Sequence, residues 1–189
     1  MPLRSYILCF FLLLSFFTKG VAQFTLPDRF THEGVIWGQE GLNGMLFEEN
    51  GRLYVWLKKG IVLIYENGTL RPEPLIDIHD EVGSWRDHGL LGMALHPNFR
   101  DNGYFYLFYA VDRQHLMNAG SPDYDPDKNE YFEATIGRIT RYTADPATDF
   151  TTVLPDSRKV LIGATPQTGM PILHESHAIG SLFFGTDGS

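Results

Sequence analysis

Cysteine is nearly missing from this chain. Cys9 is the only one, and it falls inside an apolar N-terminal run. The residues after it therefore build no disulfide framework, thiol nucleophile or cysteine-bound zinc. Basic residues are scarce too: 15 Lys and Arg stand against 23 Asp and Glu, for a net charge of −8. No basic patch interrupts that balance, which argues against a phosphate-neutralising, nucleic-acid-binding surface. Long apolar runs are confined to the first 22 residues, and no helical 3.6-residue period follows them. A phosphate-binding P-loop, a dinucleotide Gly fingerprint and a Gly-x-Ser-x-Gly nucleophile elbow are all absent.

The beginning of the chain reads as a leader. Arg4 gives a positive start, residues 7–17 are apolar, and Gly20-Val21-Ala22 forms a small-residue cleavage site. Residues 1–22 are thus expected to be a secretory signal peptide, with a periplasmic or secreted mature chain starting at Gln23. The apolar run is short for a membrane-spanning helix, and an uncleaved anchor is the competing reading. No membrane span is expected after cleavage. Residues 23–40 form a lead-in, in which residues 34–38 are a candidate strand for closing a circular sheet array.

A repeated unit organises the rest. Residues 89–95 are an apolar stretch bounded by Gly89 and containing Gly92; Asn102-Gly103 turns the chain; residues 104–109 are an aromatic strand without breakers. Residues 44–56 repeat the pattern around Asn50-Gly51, and residues 180–188 begin it again up to Asp187-Gly188. Repeated sheet units at this period indicate a propeller or solenoid. Residues 41–78 are expected to be one four-stranded blade, with turns at Asn50-Gly51, Lys58-Lys59-Gly60 and Asn67-Gly68. Pro72 and Pro74 suit its outer strand, where ladder donors are dispensable. Asn67-Gly68-Thr69 also matches a glycosylation sequon, but a turn is the preferred meaning. Residues 79–163 are expected to be a second blade, with an insertion at 111–132, and residues 164–189 the start of a third whose first strand is 180–185. The fold class is all-β, with the domain expected to continue beyond Ser189.

Two loops carry candidate chemistry. His174-Glu175-Ser176-His177 precedes the third repeat, and Asp87-His88 precedes the second. Loops in equivalent positions of two blades converge near a propeller axis. A histidine there can take a proton from a substrate hydroxyl, because its ordinary pKa of about 6.5 lies near working pH. The plainer reading is a pair of solvated polar connectors. His174 and His177 have metal-ligand spacing but lack a third ligand. Asp123, Asp125 and Asp127 alternate as in a calcium loop, yet Lys128 stands where the turn Gly belongs and Ala134 where the bidentate Glu belongs. That loop is read as solvated, and no metal site is assigned.

Residues 89–99, with Asn102-Gly103-Tyr104 after them, resemble a signature of the glucose/sorbosone dehydrogenase family. Residues 177–188 resemble its second signature, a His-x-x-Gly-Arg-Leu segment with an apolar strand and a Gly-x-Asp-Gly turn. The resemblance covers residues 34–189 and implies a six-bladed β-propeller, of which this chain would hold two blades and the first strand of a third. It implies an exported quinoprotein that oxidises the anomeric hydroxyl of an aldose sugar to the lactone, passing hydride to pyrroloquinoline quinone, usually with calcium. His177 would be the general base, with Asp87 and His88 lining the same cavity. The residues holding quinone and calcium would lie beyond residue 189, leaving the isolated segment inactive. Three departures put the identity of the sugar in doubt: Asp87 replaces Gln, Ser176 replaces Asp and Ser181 replaces Arg. A non-catalytic propeller that binds a carbohydrate or protein, as in hedgehog-interacting-type propellers, is the alternative. A metal-dependent lactonase-like propeller is a third reading.

Overall fold

The computed structural model describes residues 26–128 and 130–188. The expected signal peptide, including Cys9 and the cleavage site before Gln23, lies outside the described residues. Residues 26–35 belong to a unit of their own. In it the Phe30 amide donates to the Pro27 carbonyl at 3.1 Å. The second unit, Ile36–Ser189, carries the fold.

The first sheet contains β1 (Leu42–Phe47), β2 (Leu53–Leu57), β3 (Ile61–Glu66), β4 (Thr69–Leu70) and β5 (Ile76–Asp77). Its order is β1-β2-β3-β4, with β5 also paired to β3. The second sheet contains β6 (Leu90–Leu95), β7 (Tyr104–Ala110), β8 (Thr135–Thr143), β9 (Lys159–Ile162) and β10 (Met170–Ile172). Its order is β10-β8-β7-β6, and β9 also pairs with β8. Neighbouring strands run antiparallel throughout. Each sheet thus has three long strands and a divided outer one.

Local chemistry explains the turns. Gly51, Gly60 and Gly68 all have positive φ, and Asn67 joins Gly68 in the left-handed region. All five β2 residues are buried, so this strand shows no polar alternation. The outer strand expected within residues 69–78 is interrupted between β4 and β5, where Pro72 and Pro74 withhold ladder donors. In the second sheet the interruption is an excursion containing a 3-10 turn at Pro166–Thr168.

Side chains from both sheets form one core, including Tyr54, Trp56, Val62 and Ile64 from the first and Leu90, Met93, Phe105, Leu107 and Tyr109 from the second. Full burial of one such apolar side chain contributes about 1.5–3 kcal/mol. Polar contacts join the sheets at the entry to β6. The Leu90 amide donates to the Lys58 carbonyl at 2.8 Å, and Asn43 Nδ2 donates to the Leu90 carbonyl at 2.9 Å. Past the far end of β6, buried Arg52 reaches Glu66 at 2.8 Å and Asp149 at 2.7 Å, while Arg100 pairs with Glu48 and Asp149.

Two stretches with strand composition form no ladder, and two short helices lie between the strands. Residues 34–38 form no strand among the described residues, because nothing there pairs with them. Residues 180–185 also lack a ladder partner among the described residues. They instead lie against the second sheet. Phe184 packs edge-on against His96 and Tyr106, with ring centroids 5.4 and 5.3 Å away, and Leu182 approaches so closely that a Cβ at Gly92 would meet its amide nitrogen at 3.0 Å. Finally, two short helices interrupt the all-strand pattern: α1 (Phe99–Asn102) and α2 (Arg113–Asn118). One or two turns are too few to display a helical period. Among the described residues no helix is long and apolar enough to cross a membrane.

The turn glycines yield a contrast. Gly51 has φ +88° with nothing within 4 Å of a built Cβ, whereas at Gly103, with φ +69°, that Cβ would lie 2.4 Å from the Ala144 carbonyl oxygen. Gly51→Ala should cost about 1 kcal/mol from backbone strain alone, and Gly103→Ala at least about 2 kcal/mol more from the collision. Urea-unfolding midpoints of the two full-length variants check this.

Candidate functional site

The loop from β5 to β6 begins with a 3-10 turn at His79–Glu81. Glu81 is buried yet surrounded by donors. The Tyr109 hydroxyl donates to its Oε1 at 2.6 Å, Arg158 approaches the same oxygen at 2.6 Å, and Arg138 donates to it as well. Tyr109 and Arg138 are directly opposed on β7 and β8, so strand register puts both on one face. Burial opposes ionisation of Glu81, but Tyr109, Arg138 and Arg158 together hold its carboxyl below the usual range. Burial first, and then the neighbouring Glu81 charge, push the Tyr142 hydroxyl up to about 12. Backbone bonds fix the same turn: Asp112 N donates to the Glu81 carbonyl at 2.9 Å, and Gly83 N to the Ala110 carbonyl at 3.0 Å.

From that anchor the chain runs through Trp85, Arg86, Asp87 and His88 into Gly89. The His88 amide closes a turn onto the Trp85 carbonyl at 2.9 Å. Arg86 takes a left-handed φ of 49°, and Lys58 Nζ donates to its carbonyl. His88 is buried while Asp87 is exposed.

The second loop follows β10 and meets the first through three hydrogen bonds. His88 Nε2 lies 3.2 Å from the His174 carbonyl, a geometry in which Nε2 carries the proton. Asp87 N donates to the Glu175 carbonyl at 3.3 Å, and the Asp87 carboxylate accepts from the His177 amide at 3.0 Å. Asp87, His88, His174 and His177 therefore occupy one cluster despite nearly ninety residues of separation. His177 has φ +63°, a strained value for a histidine, and the Asp87 contact helps hold it.

The two loop histidines differ in what surrounds them. His174 Nδ1 receives the Ser176 amide at 3.3 Å and lies 3.0 Å from Ser176 Oγ, while its Nε2 is 3.3 Å from Glu175. The His177 side chain is exposed, and its ring forms no hydrogen bond among the described residues. Such an imidazole can exchange a proton with a bound hydroxyl, whereas His174 is committed to shaping its own loop. Among the described residues no group of three His, Cys, Asp or Glu side chains could hold a metal. Of the nearby cations, Arg138 and Arg158 serve Glu81, and Lys58 serves the Arg86 carbonyl.

Sequence reasoning named Asp87, His88 and His177 but missed the Glu81 anchor and the packing of Trp85 against Tyr131 of the insertion, whose ring centroids lie 4.6 Å apart. Glu81 had only one available signal, a lone acid in a polar connector. The contact between Trp85 and Tyr131 had none, because it depends on how the insertion returns to β8.

Two antiparallel sheets stacked through a shared core, with polar loops gathered beside the entry to β6, define a β-propeller segment. Residues 40–163 match the model of the Glucose / Sorbosone dehydrogenase family, and the chain belongs to that family. The chain is 30% identical over 166 residues to the Hedgehog-interacting protein of Homo sapiens, an alignment covering 84% of this chain and 21% of that protein. It is 24% identical over 127 residues to the HIPL1 protein of Arabidopsis thaliana, covering 61% and 18%. A crystal structure from Thermus thermophilus, described as an oxidoreductase (glucose dehydrogenase), superposes with a TM-score of 0.55 at 22% identity, covering 82% of this chain and 38% of that one. That likeness shows the fold. The chain spans about a fifth of the length of the curated relatives it matches.

The Glu81 anchor makes stability pH-dependent. Its folded carboxyl titrates below the unfolded value of about 4.3, so its contribution is complete above that value and disappears as pH falls through the folded value. Glu81→Gln should be less stable than the parent near neutral pH, and the gap should narrow on acidification. Unfolding midpoints measured between about pH 7 and pH 3 test the sign.

Proposed function

We propose that the full-length protein is an exported aldose sugar dehydrogenase in which His177 takes the proton from the anomeric hydroxyl. The observation carrying this reading is the exposed His177 imidazole on a backbone clamped by Asp87, at the position where the family resemblance implies a base. As the hydroxyl proton moves to an imidazole nitrogen, the oxygen gains the electron density needed for a carbonyl to form at C1. Oxidation also removes a hydride from C1; the resemblance implies pyrroloquinoline quinone, with calcium, as the acceptor, and the described residues form a site for neither. Asp87 acts as a positioning residue, since its carboxylate meets the His177 backbone. Ser176 contributes to the His174 turn, where the resemblance implies an acid. With that difference, and those at Asp87 and Ser181, the resemblance does not assign glucose as the sugar.

The 30% identity with the Hedgehog-interacting protein supports a second reading, a propeller that binds a carbohydrate or protein without oxidising it. Sugar-dependent dye reduction by the full-length protein, supplied with quinone and calcium, separates the two. Activity supports the dehydrogenase; its absence together with failure to bind quinone supports the binding module.

His177→Asn should lower turnover by about two to four orders of magnitude, the span of a general base, with quinone binding nearly intact. Asp87→Ala should lower kcat by up to about a hundredfold through misplacement of the imidazole, with less change in KM. Asp87→Asn keeps an acceptor oxygen for the His177 amide and should recover most of that loss. Steady-state kinetics of the three variants provide the check, and unchanged turnover in His177→Asn removes that residue from the mechanism.

A further inference from the structure

Asp87 and His88 both reach across to the second loop, but only Asp87 stands in the open. His88 is 3% exposed, and its Nε2 donates to the His174 carbonyl at 3.2 Å. Its own loop sets the ring. The His88 amide donates to the Trp85 carbonyl at 2.9 Å, and the Trp85 ring lies 5.2 Å from the imidazole at an interplanar angle of 64°. Trp85 is held in turn by Tyr131 of the insertion, at 4.6 Å. The cleft bordering Trp85, His88 and Tyr131 measures about 10 Å³, room for a single water and for no sugar ring. Buried on that side and bonded on the other, this imidazole is badly placed to meet a substrate.

What His88 does meet is the leading leg of the second loop. Strand β10, from which that leg departs, has three residues and pairs with β8 at the end of its sheet. Ile172, the last of them, is buried, but Leu173 after it is 78% exposed. Asp87 takes hold further on, at the Glu175 carbonyl and the His177 amide. The His88 bond falls at His174, between these two footholds. A leg anchored only by a short end strand and an exposed carboxylate opens easily. A shift at His174 also carries Glu175 and His177 away from Asp87, and the left-handed backbone of His177 persists only while such contacts outweigh its strain.

We propose that His88 is a positioning residue: through its bond to the His174 carbonyl it fixes the leading leg of the loop, and with it the place of the His177 imidazole, without touching substrate. That His177 accepts a substrate proton rests on the reading given under Proposed function; the fixing of the loop does not. The role belongs to the Nε2 donor rather than to the bulk of the ring. A Gln side chain carries an N–H donor and no ring, whereas Phe carries a ring and no donor, so the two substitutions separate bonding from packing.

Amide hydrogen exchange and dye-reduction kinetics with quinone and calcium, on the full-length protein and its His88→Phe and His88→Gln variants, provide the test. In His88→Phe the Asp87 and His177 amides should exchange about tenfold faster, the weight of one hydrogen bond, while amides of β7 and β8 keep the parent rates. The kcat should fall about tenfold, with less change in KM. His88→Gln should return both readouts toward the parent values. Where the larger Phe ring unsettles the core, seen as faster exchange in β7 and β8, His88→Leu takes its place with the same expectations. Parent-like exchange at Asp87 and His177 in the donor-less variant overturns the proposal, as does acceleration that spreads to β7 and β8 in His88→Leu as well. A His88→Gln variant as impaired as His88→Phe assigns the effect to packing and overturns it too, and so does faster exchange with an unchanged kcat. The expected exchange pattern in a protein that oxidises no sugar sustains the fixing of the loop and removes only the dehydrogenase reading.

Discussion

The buried carboxylate of Glu81 stands where the two sheets hand the chain from one to the other. An unpaired carboxylate in that position would cost several kcal/mol, so the neighbouring elements must keep their donors in place. Tyr109 comes from β7, Arg138 from β8, and Arg158 from the segment before β9. The constraint acts in both directions. Glu81 keeps three parts of the second sheet in register, and that sheet fixes the turn from which Trp85, Asp87 and His88 are projected.

The candidate site inherits its rigidity from this arrangement. Two loops meet through hydrogen bonds that mostly use backbone groups, and a left-handed residue occurs in each, Arg86 in one and His177 in the other. Strain of that kind persists only where surrounding contacts outweigh it. Here those contacts are the Lys58 bond to the Arg86 carbonyl and the Asp87 bond to the His177 amide. The consequence is an imidazole that is exposed while its backbone is not free to move. His174, three residues earlier, spends its ring on local contacts. Sequence spacing alone treats the two histidines alike, whereas the folded loop gives them different tasks.

The distant ion cluster around Arg52 has another role. Buried Arg52 and Glu48 face Glu66, Arg100 and Asp149, tying the β1–β2 turn to α1 and to the loop after β8. Both ends of the interface between the sheets are thus fixed by polar contacts, with the apolar core between them. This explains how the sheets stay aligned without a disulfide. Complementary shape and paired charges supply the specificity that covalent links supply in small disulfide-rich domains.

Local chemistry alone determined the turns and most strands. Asn50-Gly51, Lys59-Gly60 and Asn67-Gly68 needed only backbone conformations available to Gly and Asn, and the apolar and aromatic runs between them had no other stable use than a sheet. The repeat in the sequence singled out the loops of Asp87 and His177, and the structure joins them through the His177 amide and the Asp87 carboxylate. Tertiary structure decided what local signals could not reach. Residues 34–38 and 180–185 carry strand composition but form no ladder among the described residues, since a strand exists only with a partner. The Asp87–His177 clamp, the Glu81 anchor and the Trp85–Tyr131 contact all join residues far apart in the chain, and only the pairing of the second sheet's strands and the return of its loops bring such groups together.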